Sequence, residues 1–394
     1  MDYKEEISLL LDIVMKKGHG SAIHVPMFSM RSYDTNKYDL TCDGNMNRLV
    51  SVWLNVIKER SLREDEYRGF PQLDIRVVIP SADDMTPQSI DFLQKVEEAA
   101  GGHLTFMYDF SYPPGGPKVI RSLSGTLETS QSLTAYLRAV NYKTVVVYEP
   151  EYIGIILEAA KKTMSVFEDT QVTTVFWCPV SDTASVMPPF LENVRYVDRE
   201  LAMTCDFLMV ATKKQEEYFS KYRGLKPTIL MEMLIDPSLP LFAYEEDKEM
   251  TSLIDKHCDR GEQVIYFPFR MSDPGYKFKE IIEVLGDISA LYPIVVLYTD
   301  PNDTADLMPL GEVNIDFIKV PKKRDSYYTC ISDKRCIIPY FEDIESIMHA
   351  SWQEMKYYGS TLATHNGYMV YLNDKEEIYE SLIGIIESRA GSTT

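Results

Sequence analysis

Apolar residues along this chain fall into two alternating patterns. Short runs rich in β-branched and aromatic residues are each followed by a longer stretch in which apolar positions recur every three or four residues. The first pattern predicts buried strands and the second amphipathic helices, so their alternation predicts parallel β-α-β units. In the first half "SAIHVPMF" precedes the helical "NMNRLVSVWLNVIKERSL", and "LDIRVVIPS" precedes "TPQSIDFLQKVEEAA", where Thr86 and Pro87 suit an N-cap and a first helical position. "HLTFMYDF", a "SYPPGGP" loop and "SQSLTAYLRAV" come next, followed by "YKTVVVYEP" with "YIGIILEAAKK", and by "VTTVFWCPV" with "RELAMTCDFLMVATKKQEEYFSKY". The pattern pauses at "TILMEMLIDPSLPLFAYEEDKEM", which places a linker near residues 236–248. It resumes with "EQVIYFPF", "KFKEIIEVLGDISALY", "PIVVLYTD", "NIDFIKV", "RCIIPY", a helix around Trp352, "STLATH" and the closing helix "DKEEIYESLIGIIES". The expected fold is α/β, with two Rossmann-like domains, 1–240 and 241–394, facing across a cleft. Ligands of such sheets bind outside the carboxyl ends of the strands.

Composition narrows this picture. A chain of 394 residues exceeds one ordinary core, and 45% hydrophobic with 25% charged residues is the balance of a folded, water-soluble protein. Apolar runs such as "TVVVY" are strand-sized, so no membrane span is expected. The opening "MDYKEEISLLLDIVMKKG" is acidic first and has Asp12 inside its apolar part, the pattern of an amphipathic helix and not of a signal peptide. Six cysteines without a CxxC pair imply reduced thiols and a cytoplasmic protein. A net charge of −20 argues against a broad nucleic-acid footprint, leaving only local basic pieces such as "PKKRD" at 321–325.

Several familiar chemistries lack their residues. There is no GxGxxG after the first strand, no Walker A loop and no GxSxG elbow. The six histidines lack metal-ligand spacing, and no Asp-x-Asp stands at a strand end to hold a divalent ion on a diphosphate. No metal or resident cofactor is therefore expected, and neutralising a phosphate falls to side chains. In "VIYFPFRMSDPGYKF", Arg270 leaves the end of a predicted strand and enters a turn of Asp273, Pro274 and Gly275, with Lys277 beyond. A cation there can neutralise a leaving diphosphate; the plainer alternative is an Arg270–Asp273 pair closing a turn. In "IIPYFEDIESIMHASWQEMKYYGSTLATHNGYM", Met348, Trp352, Met355 and Gly359 make one helical stripe, and Glu354 lies beside it. A carboxylate near the inner face can accept two hydrogen bonds from a ribose diol, with solvent exposure as the alternative. Gly359 suits a C-terminal cap. In the first half, Asp182 after "FWCPV" is a candidate for positioning an acceptor hydroxyl and Glu149 after "VVVY" a second. Gly44 opens a helix whose N–H groups suit phosphates.

Together these pieces resemble the retaining group-1 glycosyltransferases of the two-Rossmann-domain GT-B fold. In that family a second-domain strand ends in Arg, a Lys follows, and a "P…E…E-A-x-x-x-G" helix holds the sugar nucleotide. The resemblance implies that Arg270 binds the donor diphosphate and Glu354 the ribose, in a nucleotide-sugar-binding second domain opposite an acceptor domain. It also implies a nucleoside-diphosphate sugar, UDP-linked before others, as donor substrate. "LIDPSLPLF" and "TCDFLMVATKKQEEYF" are similar to the segments that close the family's first domain. Two positions depart from the pattern. Gly275 stands where the family has its Lys, with Lys277 two residues on, and Ser346 stands at the family's earlier Glu, beside Glu345. Phage enzymes that glycosylate hydroxymethylated DNA bases share this plan, so the resemblance puts a hydroxymethylated base in DNA first as acceptor, in a host's cytoplasm if the chain is phage-encoded, with a glycan or small molecule as the alternative. A sugar-nucleotide 2-epimerase and a non-catalytic nucleotide-sugar-binding protein also remain compatible with these residues, and oligomeric state is not specified by them.

Overall fold

The computed structural model of the chain describes residues 3–25, 37–42, 44–79, 81–107, 144–148, 173–178, 205–210, 228–230, 235, 242–269, 271, 276–299, 315–341, 350–364 and 374–391. The chain forms two compact units, Met1–Phe242 and Ala243–Thr394.

The first unit is built on a seven-stranded sheet of β1 (Ser21–Val25), β2 (Asp74–Val78), β3 (Leu104–Met107), β4 (Thr144–Tyr148), β5 (Thr173–Cys178), β6 (Phe207–Val210) and β7 (Thr228–Leu230). Its spatial order is β3-β2-β1-β4-β5-β6-β7 and every pairing is parallel. The order reverses between β1 and β4, the switch point of a doubly wound sheet. Helix α1 (Tyr3–Asp12) runs through a π-helical turn, Ile13–Lys17, into a tight reversal at Gly18–Gly20. Gly20 has φ +78°, and a Cβ there would lie 2.8 Å from the Gln72 carbonyl oxygen, so only glycine lets α1 turn directly into the central strand.

Helix α2 (Gly44–Leu62) departs from the amphipathic expectation. From Met46 to Ile57 every residue is buried, including Asn47, Arg48, Ser51 and Asn55. A helix with no solvated face needs covering on both sides. α1 packs on α2, and Ser8 Oγ donates to Glu59 Oε1 at 2.9 Å. The far end of this pair is closed by Tyr67. Its hydroxyl donates to Asp12, while Lys16, Arg60 and Arg63 surround its ring. Helix α3 (Pro87–Ala99) begins as expected, with Thr86 Oγ1 accepting from Ser89 N at 3.3 Å and Pro87 in the first turn.

The second unit carries α4 (Lys248–Cys258), β8 (Gln263–Phe267), α5 (Phe278–Ser289), β9 (Ile294–Tyr298), β10 (Ile315–Lys319), α6 (Arg324–Ser332), β11 (Cys336–Tyr340), α7 (Ala350–Tyr358), β12 (Thr361–Thr364) and α8 (Asp374–Gly391). Its five parallel strands run β10-β9-β8-β11-β12, so the second switch point lies between β8 and β11. α8 packs on α5 and is tied to β12 where Thr364 N donates to Ser381 Oγ at 3.1 Å.

Three of these elements differ from the sequence expectation. β7 lies inside the stretch where the apolar pattern pauses. α4 begins at the end of the expected linker, with Asp247 as its N-cap, Oδ1 accepting from Glu249 N and Met250 N. α6 starts within "PKKRD", whose composition suits a surface turn. Among the described residues no helix is long and apolar enough to cross a membrane.

Candidate functional site

The second switch point lies between β8 and β11, the strands that precede the sequence candidates of the C-terminal unit in the chain. β8 delivers Phe269 to its carboxyl end, and Phe269 stacks on Tyr276 (4.7 Å between centroids, 8° between planes). Phe269 also meets Tyr340, the last residue of β11, edge-on at 5.2 Å. Each pair contributes about 0.5–1.5 kcal/mol beyond the area it buries. These rings join the exits of the two central strands and bracket the residues between 269 and 276. Arg270 and Gly275 fall in that interval and lie outside the described residues, as do Glu345 and Ser346 in the segment leaving β11. Asp182 and Glu149 of the first unit lie outside them too. Gly44 is the first residue of α2, which follows β1.

Lys277 is described. It stands at the N-cap position of α5 in the left-handed conformation, φ 50° and ψ 33°, and its carbonyl accepts from Ile281 N at 3.0 Å. A side chain with a Cβ costs roughly 1–2 kcal/mol there, and glycine costs less. Lys277→Gly is therefore expected to raise stability by about 0.5–1 kcal/mol in urea denaturation.

Glu354 sits in α7 with its carboxyl group inside the protein, 3% exposed. The solvent-facing alternative is thereby excluded. Oε1 accepts from the Tyr328 hydroxyl at 2.8 Å and Oε2 from the Tyr327 hydroxyl at 3.0 Å. Both donors come from α6. Burial first, and then the negative charge of Glu354, push both phenols well above the usual tyrosine value, so they remain hydroxyl donors at any working pH. Around this bridge the packing is aromatic. Tyr244 stacks on Tyr328 at 5.3 Å, Tyr358 meets Tyr328 edge-on at 5.4 Å, and the Arg324 guanidinium lies over the Tyr328 ring. Asp247 joins the same helix, its Oδ2 accepting from Ser326 Oγ at 2.5 Å and its N–H donating to Thr329 Oγ1 at 2.9 Å.

The first unit holds a buried group that no sequence motif marks. His24, next to the last residue of β1, is 0% exposed and lies beside the first switch point. Its Nδ1 accepts from Trp53 Nε1–H of α2 at 2.7 Å, so the neutral imidazole carries its proton on Nε2. Burial depresses its pKa from 6.5 to about 3. A histidine within a central strand of a parallel sheet, where both faces are covered, was the available signal.

No protein-family model matches the sequence, nor does any curated protein sequence. Solved structures do match in shape. Anabaena HepE, in complex with UDP and glucose, aligns with a TM-score of 0.54 over 95% of this chain and 91% of its own, at 11% identity. The UDP-GlcNAc 2-epimerase of Methanocaldococcus jannaschii aligns with a TM-score of 0.54 over 93% and 92%, at 10% identity. The S. aureus MnaA–UDP co-structure gives 0.52 over 94% and 88%, at 9% identity. With two parallel, doubly wound sheets in one chain, these likenesses define an α/β protein of the GT-B fold.

Proposed function

We propose that this chain is a nucleotide-sugar enzyme which binds a UDP-sugar at the carboxyl edge of its C-terminal sheet and transfers the sugar to a hydroxyl acceptor. The observation that carries this reading is the switch point between β8 and β11, where the Phe269–Tyr276–Tyr340 rings join the two strand exits. The likeness to HepE, itself in complex with UDP and glucose, supports it. In this reading Arg270 faces the diphosphate and stabilises the negative charge of the departing UDP, assisted by Lys277 and by the first amides of α5. Glu345, Ser346 and Gly275 are further donor-side candidates. Asp182 and Glu149 are the acceptor-side candidates, and Gly44, at the head of α2, is a donor-side candidate. The chemistry asks for no metal ion, because cationic side chains take the place a divalent ion would fill at the diphosphate. Retention at the anomeric carbon follows from the resemblance to the group-1 enzymes.

Arg270→Ala tests the assignment. Turnover of a UDP-sugar, by transfer or by slow donor hydrolysis, is expected to fall about a hundredfold, the usual scale for removing one preorganised charge-stabilising group. Undiminished turnover would defeat it.

A second reading is a sugar-nucleotide 2-epimerase, favoured by the equal TM-score of the M. jannaschii enzyme. Incubation with donor alone separates the two, since an epimerase converts UDP-GlcNAc without any acceptor. The charge of −20 weighs for an uncharged acceptor, a glycan or small molecule, over DNA. Duplex binding that falls steeply with salt would instead move the acceptor to a hydroxymethylated base.

A further inference from the structure

We propose that Glu354 is a positioning residue: with Tyr327 and Tyr328 it locks α7 onto α6, and the ribose of a bound nucleotide is not read by its carboxylate. The ligand half of this inference rests on the nucleotide-sugar reading above; the packing half does not.

The geometry points inward. Glu354 is 3% exposed and each of its oxygens accepts a phenolic hydrogen bond from α6, at 2.8 and 3.0 Å. Each oxygen keeps a second lone pair, but the carboxylate is buried, so a ribose diol can reach it only by parting the packing that holds Tyr327 and Tyr328 against it. Tyr328, which is buried, would then lose a charged acceptor that water cannot replace. Tyr328 is further held by the rings of Tyr244 and Tyr358 and by Arg324. It is a rigid donor, not a side chain poised to move aside.

The far end of α7 is pinned to the same helix. Gly359 is left-handed at φ +64° and Ser360 N donates to Met355 O at 2.9 Å, closing the helix end. Ser360 Oγ donates to Ile331 O at 2.5 Å, and Lys334 Nζ donates to Tyr358 O at 3.1 Å. α7 is thus fixed at its middle and at its end to α6 and the turn beyond it. Its first described residue, Ala350, is where the segment from the carboxyl end of β11 must arrive. The bridge therefore acts on the switch point through the register of α7.

Five variants test this: Glu354→Gln, Glu354→Ala, Tyr327→Phe, Tyr328→Phe and the double variant Glu354→Ala with Tyr328→Phe. UDP and 2′-deoxy-UDP are titrated calorimetrically against each, and thermal melts are recorded. Glutamine keeps a carbonyl acceptor, and its amide can donate to the other phenol oxygen, so it is expected to preserve both affinities within about twofold. Alanine removes both acceptors and is expected to weaken both nucleotides by the same factor, about tenfold, with a lowered melting temperature. Each phenylalanine variant is expected to shift both quantities in the alanine direction. The proposal is overturned if Glu354→Gln erases a wild-type preference for UDP over 2′-deoxy-UDP while the phenylalanine variants bind and melt like wild type. If the wild-type chain binds neither nucleotide, the nucleotide-sugar reading fails on its own. The melts then decide the packing half: losses from Tyr328→Phe and Glu354→Ala that do not add uphold the bridge, and additive losses refute it.

Discussion

Acidification is expected to destabilise the first unit well above the pH at which carboxylates titrate. His24 has a folded pKa of about 3 against 6.5 in the unfolded chain, because a charged imidazole would sit in a fully buried site. The direction follows from proton counting. Below pH 6.5 the unfolded chain binds a proton that the folded chain refuses, so stability falls as pH falls. The contribution is complete above 6.5 and is lost progressively down to about 3. Each pH unit inside that window costs about 1.4 kcal/mol, and the whole window about 5 kcal/mol. The nearest backbone partners of His24 in the sheet, Val77 and Val146, are apolar, and its ring meets Trp53. No carboxylate of these neighbours offsets the penalty. The check is urea denaturation between pH 7 and 5, where few carboxylates protonate. His24→Gln can keep an acceptor for Trp53 and cannot titrate; it should be less stable at pH 7 yet nearly flat across this range. Equal slopes in the wild type and His24→Gln would refute the assignment.

Legibility in the sequence differs from element to element. Buried parallel strands announce themselves as continuous apolar runs, and "VIYF", "IVVLY" and "CIIPY" became β8, β9 and β11. α6 gives no such signal. Its buried positions are Ser326, Tyr328, Thr329, Cys330 and Ile331, and hydroxyl-bearing residues count as polar in any apolar periodicity. α4 is legible in principle, with Met250, Ile254 and His257 on one helical stripe, but the acidic stretch before it has the composition of a linker. For the site, α6 matters most. Glu354 can be placed beside the Met355 stripe from sequence, yet its partners stand 26 and 27 residues away on a helix that the pattern does not reveal. Without those phenols, the sequence leaves open what the carboxylate accepts from. His24 and Trp53, 29 residues apart, pose the same problem, since a hydrogen bond between a strand and the helix after it leaves no spacing rule.

Trp53→Ala is expected to produce the largest loss of stability in the first unit. Trp53 is 0% exposed and belongs to the largest fully buried side chains among the described residues. It sits on a helix covered on all sides, where neighbours cannot collapse inward without moving α1 or the sheet. Removing a buried indole costs about 3–5 kcal/mol in transfer and cavity terms. A further 1–3 kcal/mol is expected because His24 Nδ1 loses its donor where water does not reach. Together these approach the whole stability of an ordinary domain, so the variant is expected to be partly unfolded at 37 °C. Trp53→Phe divides the two contributions, since it keeps most of the ring packing and removes only the N–H. It should cost about 1–3 kcal/mol from the hydrogen bond, and less than that in a His24→Leu background, which offers the indole no acceptor. A Trp53→Phe loss unchanged in the His24→Leu background would mean that the indole N–H contributes nothing through this contact, and that packing alone fixes α2 against the central strand.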